Sequence, residues 1–363
     1  MSYTALYISA HLTTSFLITL LLLPRIINVV HFKRLMDEPT ERSSHIQKIP
    51  SLGGIAFYVS LVLGLYFLHD EKNIHEIMSL IPGLLILFIV GLKDDLVVLS
   101  PISKLMAQVI AISFVLVEPT FQIQELYGFL GFENVPMYIL IPITGFVMLA
   151  IINSFNLIDG IDGLASIVGI IIFSILGSLF FMLQMHLYLG ISLVLIGSLL
   201  AFLRFNLSKD KKIFMGDTGS LVLGFMIAVL VVRLFAAPQT ELRSLPFMLE
   251  NLPLVILSVL VVPFFDTTRV FTVRLINKKN PFAPDRNHVH HILIDYFKFS
   301  HFKASIIIGI INLFFTAVFL MLSSILPTIS ILFLMLVFFI SVAYTLYRLN
   351  LSVKKMKGSI FSQ

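Results

Sequence analysis

The sequence predicts an all-α protein that crosses a membrane many times. Of its 363 residues, 58% are apolar and only 12% are charged, and the mean hydropathy is +1.00. Soluble domains carry roughly 25% charged residues, so this composition excludes an ordinary globular protein. Long apolar runs recur along the chain, most of them close to the ~20 residues that a helix needs to cross a bilayer. We therefore expect about eleven transmembrane helices in a single catalytic domain that spans residues 1–363.

Each apolar run predicts one helix, with polar turns between successive runs. The runs lie at approximately 3–30, 52–69, 77–92, 102–117, 136–153, 164–184, 187–203, 219–237, 252–272, 304–324 and 327–347. The first run has no basic leading segment and no small-residue cleavage site, so it is interpreted as a span and not as a signal peptide. Between the fourth and fifth runs, apolar and polar residues alternate around Gly128, which predicts a short extracellular hairpin.

The basic residues predict the orientation of the chain in the membrane. With eleven spans, 22 of the 25 Lys and Arg residues fall on one side, and only Lys72, Arg233 and Arg243 fall on the other. The positive-inside rule makes the first side cytoplasmic, which places the N-terminus outside and the C-terminus inside. The net charge of +5 is therefore read as a topology signal. Because the basic residues are spread over many loops, we expect no nucleic-acid partner.

The absence of Cys narrows the chemistry that the chain can perform. It excludes disulfide scaffolds, thiolate zinc sites, iron–sulfur clusters and thiol catalysis. Any metal ion must be bound by oxygen or imidazole ligands. Five polar segments on the predicted cytoplasmic side carry such ligands.

The first segment combines basic residues with a glycine pair that opens a helix. Its residues of interest are Arg42, His45, Lys48, Ser51 and Gly53. A glycine-rich helix start permits close approach of the backbone to a phosphate. A solvated, positively charged loop has the same composition and is the alternative.

The second segment places two carboxylates, Asp94 and Asp95, directly after an apolar run, and Lys104 follows ten residues after Asp94. Ionisable residues at the membrane edge indicate function, and adjacent like charges raise one pKa unless a cation lies between them. Lys104 is the candidate cation. A capping or solvated pair is the alternative interpretation.

The third segment, Asn153–Ala165, holds Asn153, Asn156, Asp159 and Asp162 at intervals of three residues, which is one face of a helical turn. Carboxylate and amide oxygens at this spacing suit a divalent cation and phosphate chemistry. Helix capping explains one or two of these side chains but not all four.

The fourth segment, Phe214–Ser220, sets Asp217 between two glycines just before a span. There it could bind a metal ion while the helix N-terminus faces phosphate oxygens. The alternatives are that Asp217 only caps the helix and that Phe214 only packs at the membrane interface.

The fifth segment, Pro284–His291, contains Arg286 and three histidines within four positions. Zinc binding and anion binding are both consistent with that composition. Because the adjacent His290 and His291 cannot point to one centre from a regular helix, anion binding is favoured, with Arg286 as a bidentate phosphate partner.

Together the five segments resemble the polyprenyl-phosphate N-acetylhexosamine-1-phosphate transferases, or glycosyltransferase family 4, over essentially the whole chain. The most specific matches are Asn153–Ala165, Phe214–Ser220 and Pro284–His291. The form Asp-Arg-Asn-His-Val-His-His resembles the bacterial branch that transfers N-acetylglucosamine 1-phosphate to undecaprenyl phosphate and initiates cell-envelope glycans. The branch that transfers phospho-N-acetylmuramoyl-pentapeptide in peptidoglycan synthesis has three consecutive His, whereas Val289 interrupts them here.

The resemblance implies a role for each motif residue. It implies catalytic roles for Asp94, Asp95 and Asp159, and metal contacts from Asp217 and Asn156. The residues that it implies for substrate binding are Lys104, Asp162, Gly163, Phe214, Arg286, His288, His290 and His291, with His45 and Lys48 matching less sharply. Asp95 would attack to form a phospho-sugar intermediate, or Asp94 or Asp95 would deprotonate the lipid phosphate for direct displacement.

The resemblance also implies partners, a cofactor and a location. The substrates would be a UDP-N-acetylhexosamine and undecaprenyl phosphate, with the lipid chain in a groove open to the membrane lipid. Mg²⁺ would be the cofactor, with Mn²⁺ as an alternative, and a homodimer is compatible with the family. The enzyme would lie in the inner (cytoplasmic) membrane with its active site on the cytoplasmic face.

Two other classes of protein compete with an enzyme of this family. A secondary transporter of an anionic solute should place its ionisable groups near the bilayer midplane, inside the spans. Here they cluster in the predicted cytoplasmic loops, which favours an enzyme. A non-catalytic membrane subunit does not explain why carboxylates, amides and histidines recur in these loops.

Overall fold

A computed structural model describes residues 3–33, 49–133, 135–276, 278 and 288–360. Its α-helices, in chain order, are α1 Tyr3–Lys33, α2 Gly54–Leu68, α3 Ile74–Leu96, α4 Pro101–Val117, α5 Met137–Ile158, α6 Leu164–Met182, α7 His186–Asn206, α8 Gly216–Phe235, α9 Gln239–Leu242, α10 Leu252–Val259, α11 Val261–Ile276, α12 Val289–Phe297, α13 His301–Leu322 and α14 Thr328–Ile360. The described residues form no β-strand, so the all-α class is confirmed.

The helices confirm a protein that crosses the membrane many times. Among the described residues, eight helices are long and apolar enough to cross a membrane: α1, α3, α5, α6, α7, α8, α13 and α14. A ninth candidate is the pair α10 and α11, which is bent by 72°. The two shorter apolar helices, α2 and α4, have 15 and 17 residues. The expected number of eleven also counts α2 and α4, and that number and the orientation of the termini stay predictions.

The expected hairpin between α4 and α5 is wrong. The described residues there form two short 3-10 turns, Pro119–Phe121 and Phe129–Gly131. The apolar positions of this segment anchor it to the helices, because Phe121 is fully buried. Tyr127 donates hydrogen bonds to the carbonyl groups of Phe235 and Ala237, at the C-terminal end of α8. The alternation therefore reflects side chains that pack against the bundle and not strands that pair.

Helix α8 is the centre of the bundle. Almost every side chain from Thr218 to Leu234 is apolar or small, and nearly all of these residues are buried. A helix that is hydrophobic all round is stable only when other helices surround it. Helices α2, α3 and α5 pack around α8, and α7 packs against α1, α2 and α6. The first turn of α8 is therefore held in place by the ends of several neighbouring helices.

Glycines bring α2 and α3 into contact with the first turn of α8. A Cβ atom on Gly54 would lie 2.1 Å from the backbone nitrogen of Gly219. The amides of Gly53 and Gly54 donate to the carbonyls of Phe214 and Met215, both at 3.0 Å. The glycine pair that the sequence singles out thus makes a backbone junction with the segment that leads into α8.

Candidate active site

Four helix ends meet at one point and bring polar side chains together. These are the C-terminal ends of α3 and α5 and the N-terminal ends of α4 and α8. The side chains that they contribute are Asp94, Asp95, Lys104, Asn156 and Asp217. Segments that are far apart in sequence therefore supply one cluster, and it brings together residues for which the family resemblance implies roles in one site.

Lys104 is the cation that holds two carboxylates together. Its Nζ atom lies 2.5 Å from Asp94 Oδ2, and it also donates to Asp217 Oδ2. The lysine stands in the first turn of α4, where Ser100 caps the helix by accepting from the amide of Ser103 at 3.1 Å. Two carboxylates that share one ammonium group can both stay ionised at close range.

Asp217 lies in the first turn of α8, and its carboxylate faces the cluster. Asn156 Nδ2 donates to Asp217 Oδ1 at 2.7 Å and also lies 2.8 Å from Ser220 Oγ. The helix begins at Gly216, and the residue at its N-cap is Met215. The contacts of the Asp217 carboxylate therefore argue against the alternative that Asp217 only caps α8.

Asp95 performs the capping of α8 from a different helix. Its carboxylate accepts from the backbone amides of Asp217 at 2.8 Å and Thr218 at 3.0 Å, and from the Thr218 hydroxyl at 2.5 Å. Gly216 has a φ of 70°, and a Cβ there would lie 2.5 Å from Asp95 Oδ2. The unoccupied amides at a helix start favour a negative charge. Asp95 thus fixes the position of Asp217.

Asp94 is placed differently from its neighbour. One of its oxygens contacts Lys104, and the other accepts from the backbone amide of Leu99 at 2.6 Å. The Leu99 bond closes the turn between α3 and α4. Of the adjacent acidic pair, Asp94 therefore faces the shared cation, and Asp95 faces the start of α8.

The donor atoms of this cluster fit a magnesium ion. Asp94 and Asp217 already converge on one cationic group, and Asn156 donates from its amide nitrogen to Asp217 Oδ1, which places its amide beside them. Within the described residues, no three His, Asp or Glu side chains are arranged to hold a metal ion on their own. The pair of carboxylates suits Mg²⁺, which is bound by one or two carboxylates together with substrate phosphates.

Asp159 lies between the cluster and the fifth segment. Burial, together with the nearby charges of Asp217, Asp95 and Asp162, raises the pKa of Asp159 to about 7. It follows the last residue of α5, so the turn after that helix brings it to the site. A carboxyl with such a pKa can take up or release a proton near neutral pH.

A second cluster of polar side chains surrounds Asp162. Its Oδ2 atom accepts from Lys212 Nζ at 2.6 Å and lies 3.2 Å from His301 Nδ1. Burial would raise the pKa of Asp162, but the bonds from His301 and Lys212 outweigh it and lower the pKa. Lys212 Nζ also lies 5.6 Å from the centre of the Phe214 ring, which is a cation–π contact. Asp162 and Phe214 are thus joined through Lys212, in agreement with a common site for both.

Gly163, the residue after Asp162, holds its turn in place through a backbone hydrogen bond. Its φ of 81° favours glycine, and its amide donates to Asn206 Oδ1 at 2.6 Å. Lys212 and His301 were not identified from the sequence. Lys212 is one of three lysines in a short run, and His301 is an isolated histidine at the start of α13.

The histidines of the fifth segment stand at the start of α12. His288 is the N-cap residue, and His290 and His291 follow in the first turn, all three being buried. His290 Nε2 has no hydrogen-bond partner among the described residues and faces Gly160, where a Cβ would lie 2.6 Å away. Burial and the neighbouring His291 lower the pKa of His290 to about 3, so its ring is neutral. Among the described residues, these three histidines do not form a group that could hold a metal ion.

Some expected site residues lie outside the described residues. These are Arg42, His45 and Lys48 of the first segment and Arg286 of the fifth. Their expected contacts with substrate stay predictions.

An apolar groove leads from the histidines to the outer surface of the bundle. It has a volume of about 580 Å³ and runs between α11, α12, α13 and α14. Asp266 and His290 line its polar end, and Ile310 and Phe314, which are 61% and 70% exposed, line its outer part. In a membrane protein, exposed side chains of this kind face the lipid. The groove therefore runs from the lipid-facing surface to the buried Asp266 and His290 side chains.

Comparisons with known proteins show the family of this chain. Residues 77–235 match the family model of Glycosyl transferase family 4. The probable undecaprenyl-phosphate N-acetylglucosaminyl 1-phosphate transferase of Bacillus subtilis is 31% identical over 336 residues, which cover 89% of this chain and 87% of the relative.

Two further relatives carry the name undecaprenyl-phosphate alpha-N-acetylglucosaminyl 1-phosphate transferase. The Thermotoga maritima protein is 30% identical over 71% of this chain and 72% of the relative. The Escherichia coli K12 protein is 28% identical over 80% of this chain and 77% of the relative. The chain therefore belongs to glycosyl transferase family 4, in the branch of the undecaprenyl-phosphate N-acetylglucosaminyl 1-phosphate transferases.

Proposed function

We propose that this protein transfers N-acetylglucosamine 1-phosphate from UDP-N-acetylglucosamine to undecaprenyl phosphate, releases UMP and so starts a lipid-linked cell-envelope glycan. The observation that carries the proposal is the meeting of Asp94 and Asp217 at the Lys104 ammonium, with the Asn156 amide donating to Asp217. The segment after Asn156 joins this cluster to His290 and to the apolar groove. One site thus offers charge for a pyrophosphate and an apolar path for a lipid.

The reaction joins two anions, so charge neutralisation dominates the catalysis. An oxygen of the lipid phosphate forms a bond to the β-phosphorus of the UDP-sugar. The bond from that phosphorus to the bridging oxygen breaks, and the oxygen leaves with UMP. Lys104 is positioned to neutralise charge on the phosphates as this transfer proceeds.

Asp217, Asn156 and Asp94 would hold Mg²⁺ beside the pyrophosphate. The ion would supply positive charge to phosphate oxygens as negative charge develops on the leaving group. Mn²⁺, which also prefers oxygen ligands, would substitute for it. Asp95 would act on this site indirectly, because it holds the first turn of α8 and so the Asp217 backbone.

Direct displacement accounts for the contacts of the carboxylates better than a covalent intermediate does. Asp95 accepts three hydrogen bonds and would have to give them up in order to attack phosphorus. Asp94 is occupied by Lys104 and by the Leu99 amide. Asp159 has a pKa of about 7, and such a carboxyl can accept a proton from the lipid phosphate near neutral pH.

The apolar groove is the proposed site of the acceptor chain. Its walls are aliphatic and aromatic, and its polar end holds His290 with an unpartnered Nε2 atom. That atom would meet the acceptor phosphate when the chain lies in the groove. Asp162, Lys212 and Phe214 would hold the uridine of the donor on the other side of the cluster.

The location of the site is part of the proposal. The division of 22 basic residues against 3 supports a cytoplasmic active site in the inner membrane. A reporter fused to the C-terminus should be active only in a cytoplasmic assay, and a periplasmic signal would contradict this orientation. A homodimer stays an expectation from the family resemblance.

The activity is tested with membranes that contain the overproduced protein. They are incubated with Mg²⁺, undecaprenyl phosphate and either UDP-N-acetylglucosamine, UDP-N-acetylgalactosamine or UDP-N-acetylmuramoyl-pentapeptide, and UMP is quantified. UMP should appear with UDP-N-acetylglucosamine and only when the lipid phosphate is present. UMP from the pentapeptide donor alone would move the protein to the peptidoglycan branch.

A further inference from the structure

Asp266 is a buried carboxylate that the sequence motifs did not single out. It lies in α11, the second half of the bent helix pair, and is only 4% exposed. Its Oδ2 atom lies 2.7 Å from His288 Nδ1, and its Oδ1 atom accepts from the Val289 amide at 2.9 Å. Arg269 Nη2 lies 3.5 Å from Oδ1. Asp266 and Val289 also line the apolar groove.

The two Asp266 oxygens perform different tasks at the start of α12. His288, the N-cap residue, makes no side-chain capping bond of its own. Asp266 supplies the missing cap from another helix, because it accepts from the first amide of α12. Since a carboxylate can only accept, the other contact requires His288 to carry a proton on Nδ1. Asp266 therefore fixes both the start of α12 and the protonated nitrogen of His288.

The position of α12 determines where His290, the histidine that faces the rest of the site, is placed. His290 stands two residues after His288, and its Nε2 atom contacts Gly160 in the turn after α5. The Gly160 contact leaves no room for a side chain, so a small shift of α12 would move His290 against that turn. Burying a carboxylate beside an apolar groove costs free energy unless it is paired. The contacts with His288, Val289 and Arg269 pair the buried Asp266 carboxylate, and they also fix the position of α12.

We propose that Asp266 is a positioning residue for the transfer reaction. It orients His288 and fixes the position of α12, so that His290 meets the acceptor phosphate. This inference rests on the proposed function. Asp266 acts through His288 and does not itself touch the reacting atoms. Substituting a residue that orients a functional imidazole typically lowers activity by about 10- to 100-fold.

The decisive variant is Asp266→Asn, which keeps the shape of the side chain. Its carbonyl oxygen can still accept from the Val289 amide, but its amide group would face His288 and donate to Nδ1. The imidazole would then be driven to the opposite tautomer. We expect turnover per folded molecule to fall about 10- to 100-fold. Asp266→Glu keeps the charge and should recover part of the loss, and the exposed Asp210→Asn is the matched control.

A double variant separates positioning from a purely structural role. His288→Gln is combined with Asp266→Asn, and the fraction of folded protein is measured by thermal unfolding in detergent. If Asp266 acts through His288, the double variant should be no less active than the weaker single variant, within about twofold. Single losses that multiply, or an Asp266→Asn enzyme with normal turnover per folded molecule, would overturn the proposal. A wild type that releases no UMP would instead overturn the proposed function.

Discussion

Asp95 accepts two hydrogen bonds from Thr218, one from its backbone amide at 3.0 Å and one from its hydroxyl at 2.5 Å. These bonds join the C-terminal end of α3 to the first turn of α8. The neighbouring Asp94 makes no part of this cap and contacts Lys104 instead. The adjacent carboxylates therefore have separable roles, one in holding α8 and one in the charge cluster.

Substituting each member of the pair should separate these roles. Asp95→Asn offers one acceptor oxygen where the carboxylate offers two, so a buried donor loses its partner at a cost of about 1–3 kcal/mol. We expect a lower Tm in detergent for Asp95→Asn. Asp94→Asn should keep a Tm close to that of the wild type but lose turnover. An Asp95→Asn protein with an unchanged Tm would refute the capping role, and Asp210→Asn is the control.

Replacing Lys104 tests the shared cation. Lys104→Met leaves Asp94 and Asp217 facing each other without the ammonium, and it removes positive charge from the phosphate site. Turnover should fall by roughly 30- to 1000-fold, which corresponds to about 2–4 kcal/mol of transition-state stabilisation. Lys104→Arg should retain part of the activity. The exposed Lys93→Met is the matched control, and equal rates for the two Met variants would argue against a role for Lys104.

Asp217→Asn tests the magnesium site. The substitution keeps the shape of the side chain but removes a charged ligand, so Mg²⁺ binding should weaken. The initial rate is measured against Mg²⁺ concentration, with folding checked by thermal unfolding. We expect little turnover at Mg²⁺ concentrations that saturate the wild type and a Tm that shows a folded protein. The assignment fails if the variant responds to Mg²⁺ as the wild type does.

The buried Asp159 predicts a pH dependence of stability. Burial and three nearby carboxylates raise its pKa to about 7, whereas an unfolded Asp has a pKa near 3.9. The unfolded chain therefore releases this proton at lower pH than the folded protein does. The stability due to Asp159 is full below about pH 3.9, and it is lost as pH rises through about 7, at up to about 1.4 kcal/mol per pH unit.

The Asp159→Asn variant isolates this contribution. In buffer with EDTA, its Tm should exceed that of the wild type at pH 8, and the difference should shrink at pH 5.5. The comparison is made by thermal unfolding in one detergent across this range. A difference in Tm that does not change with pH would show that Asp159 does not titrate near neutrality.

The fold class was predictable because composition and hydropathy alone determine that most of the chain must be surrounded by lipid or by other helices. The approach of Asn156 to Asp217 was implied by the family resemblance, which assigns both residues to one metal site. The contacts of Asp94 and Asp95 could not be predicted in the same way. Adjacent residues on a helix point in directions about 100° apart, and the packing of α3 against α8 decides which one faces the cation.

The residues that sequence reasoning missed are single polar side chains within ordinary surroundings. Asp266 is one acidic residue at the end of an apolar run, and only its contact with His288 reveals its role. Lys212 and His301 meet Asp162 through tertiary structure, from two segments that are remote in the chain. The predicted hairpin failed for a related reason, because the alternation came from side chains such as Phe121 that bury themselves in the bundle.

The measurement that tests the central claim most directly follows the β-phosphorus of the donor. UDP-N-acetylglucosamine labelled with ³²P at the β-phosphate is incubated with purified protein, undecaprenyl phosphate and Mg²⁺, and the lipid and nucleotide products are separated. Transfer of N-acetylglucosamine 1-phosphate predicts that the label moves into the lipid and that unlabelled UMP appears in equal amount. Label that stays in the nucleotide fraction as UDP would show that the sugar alone is transferred, which would contradict the proposed reaction.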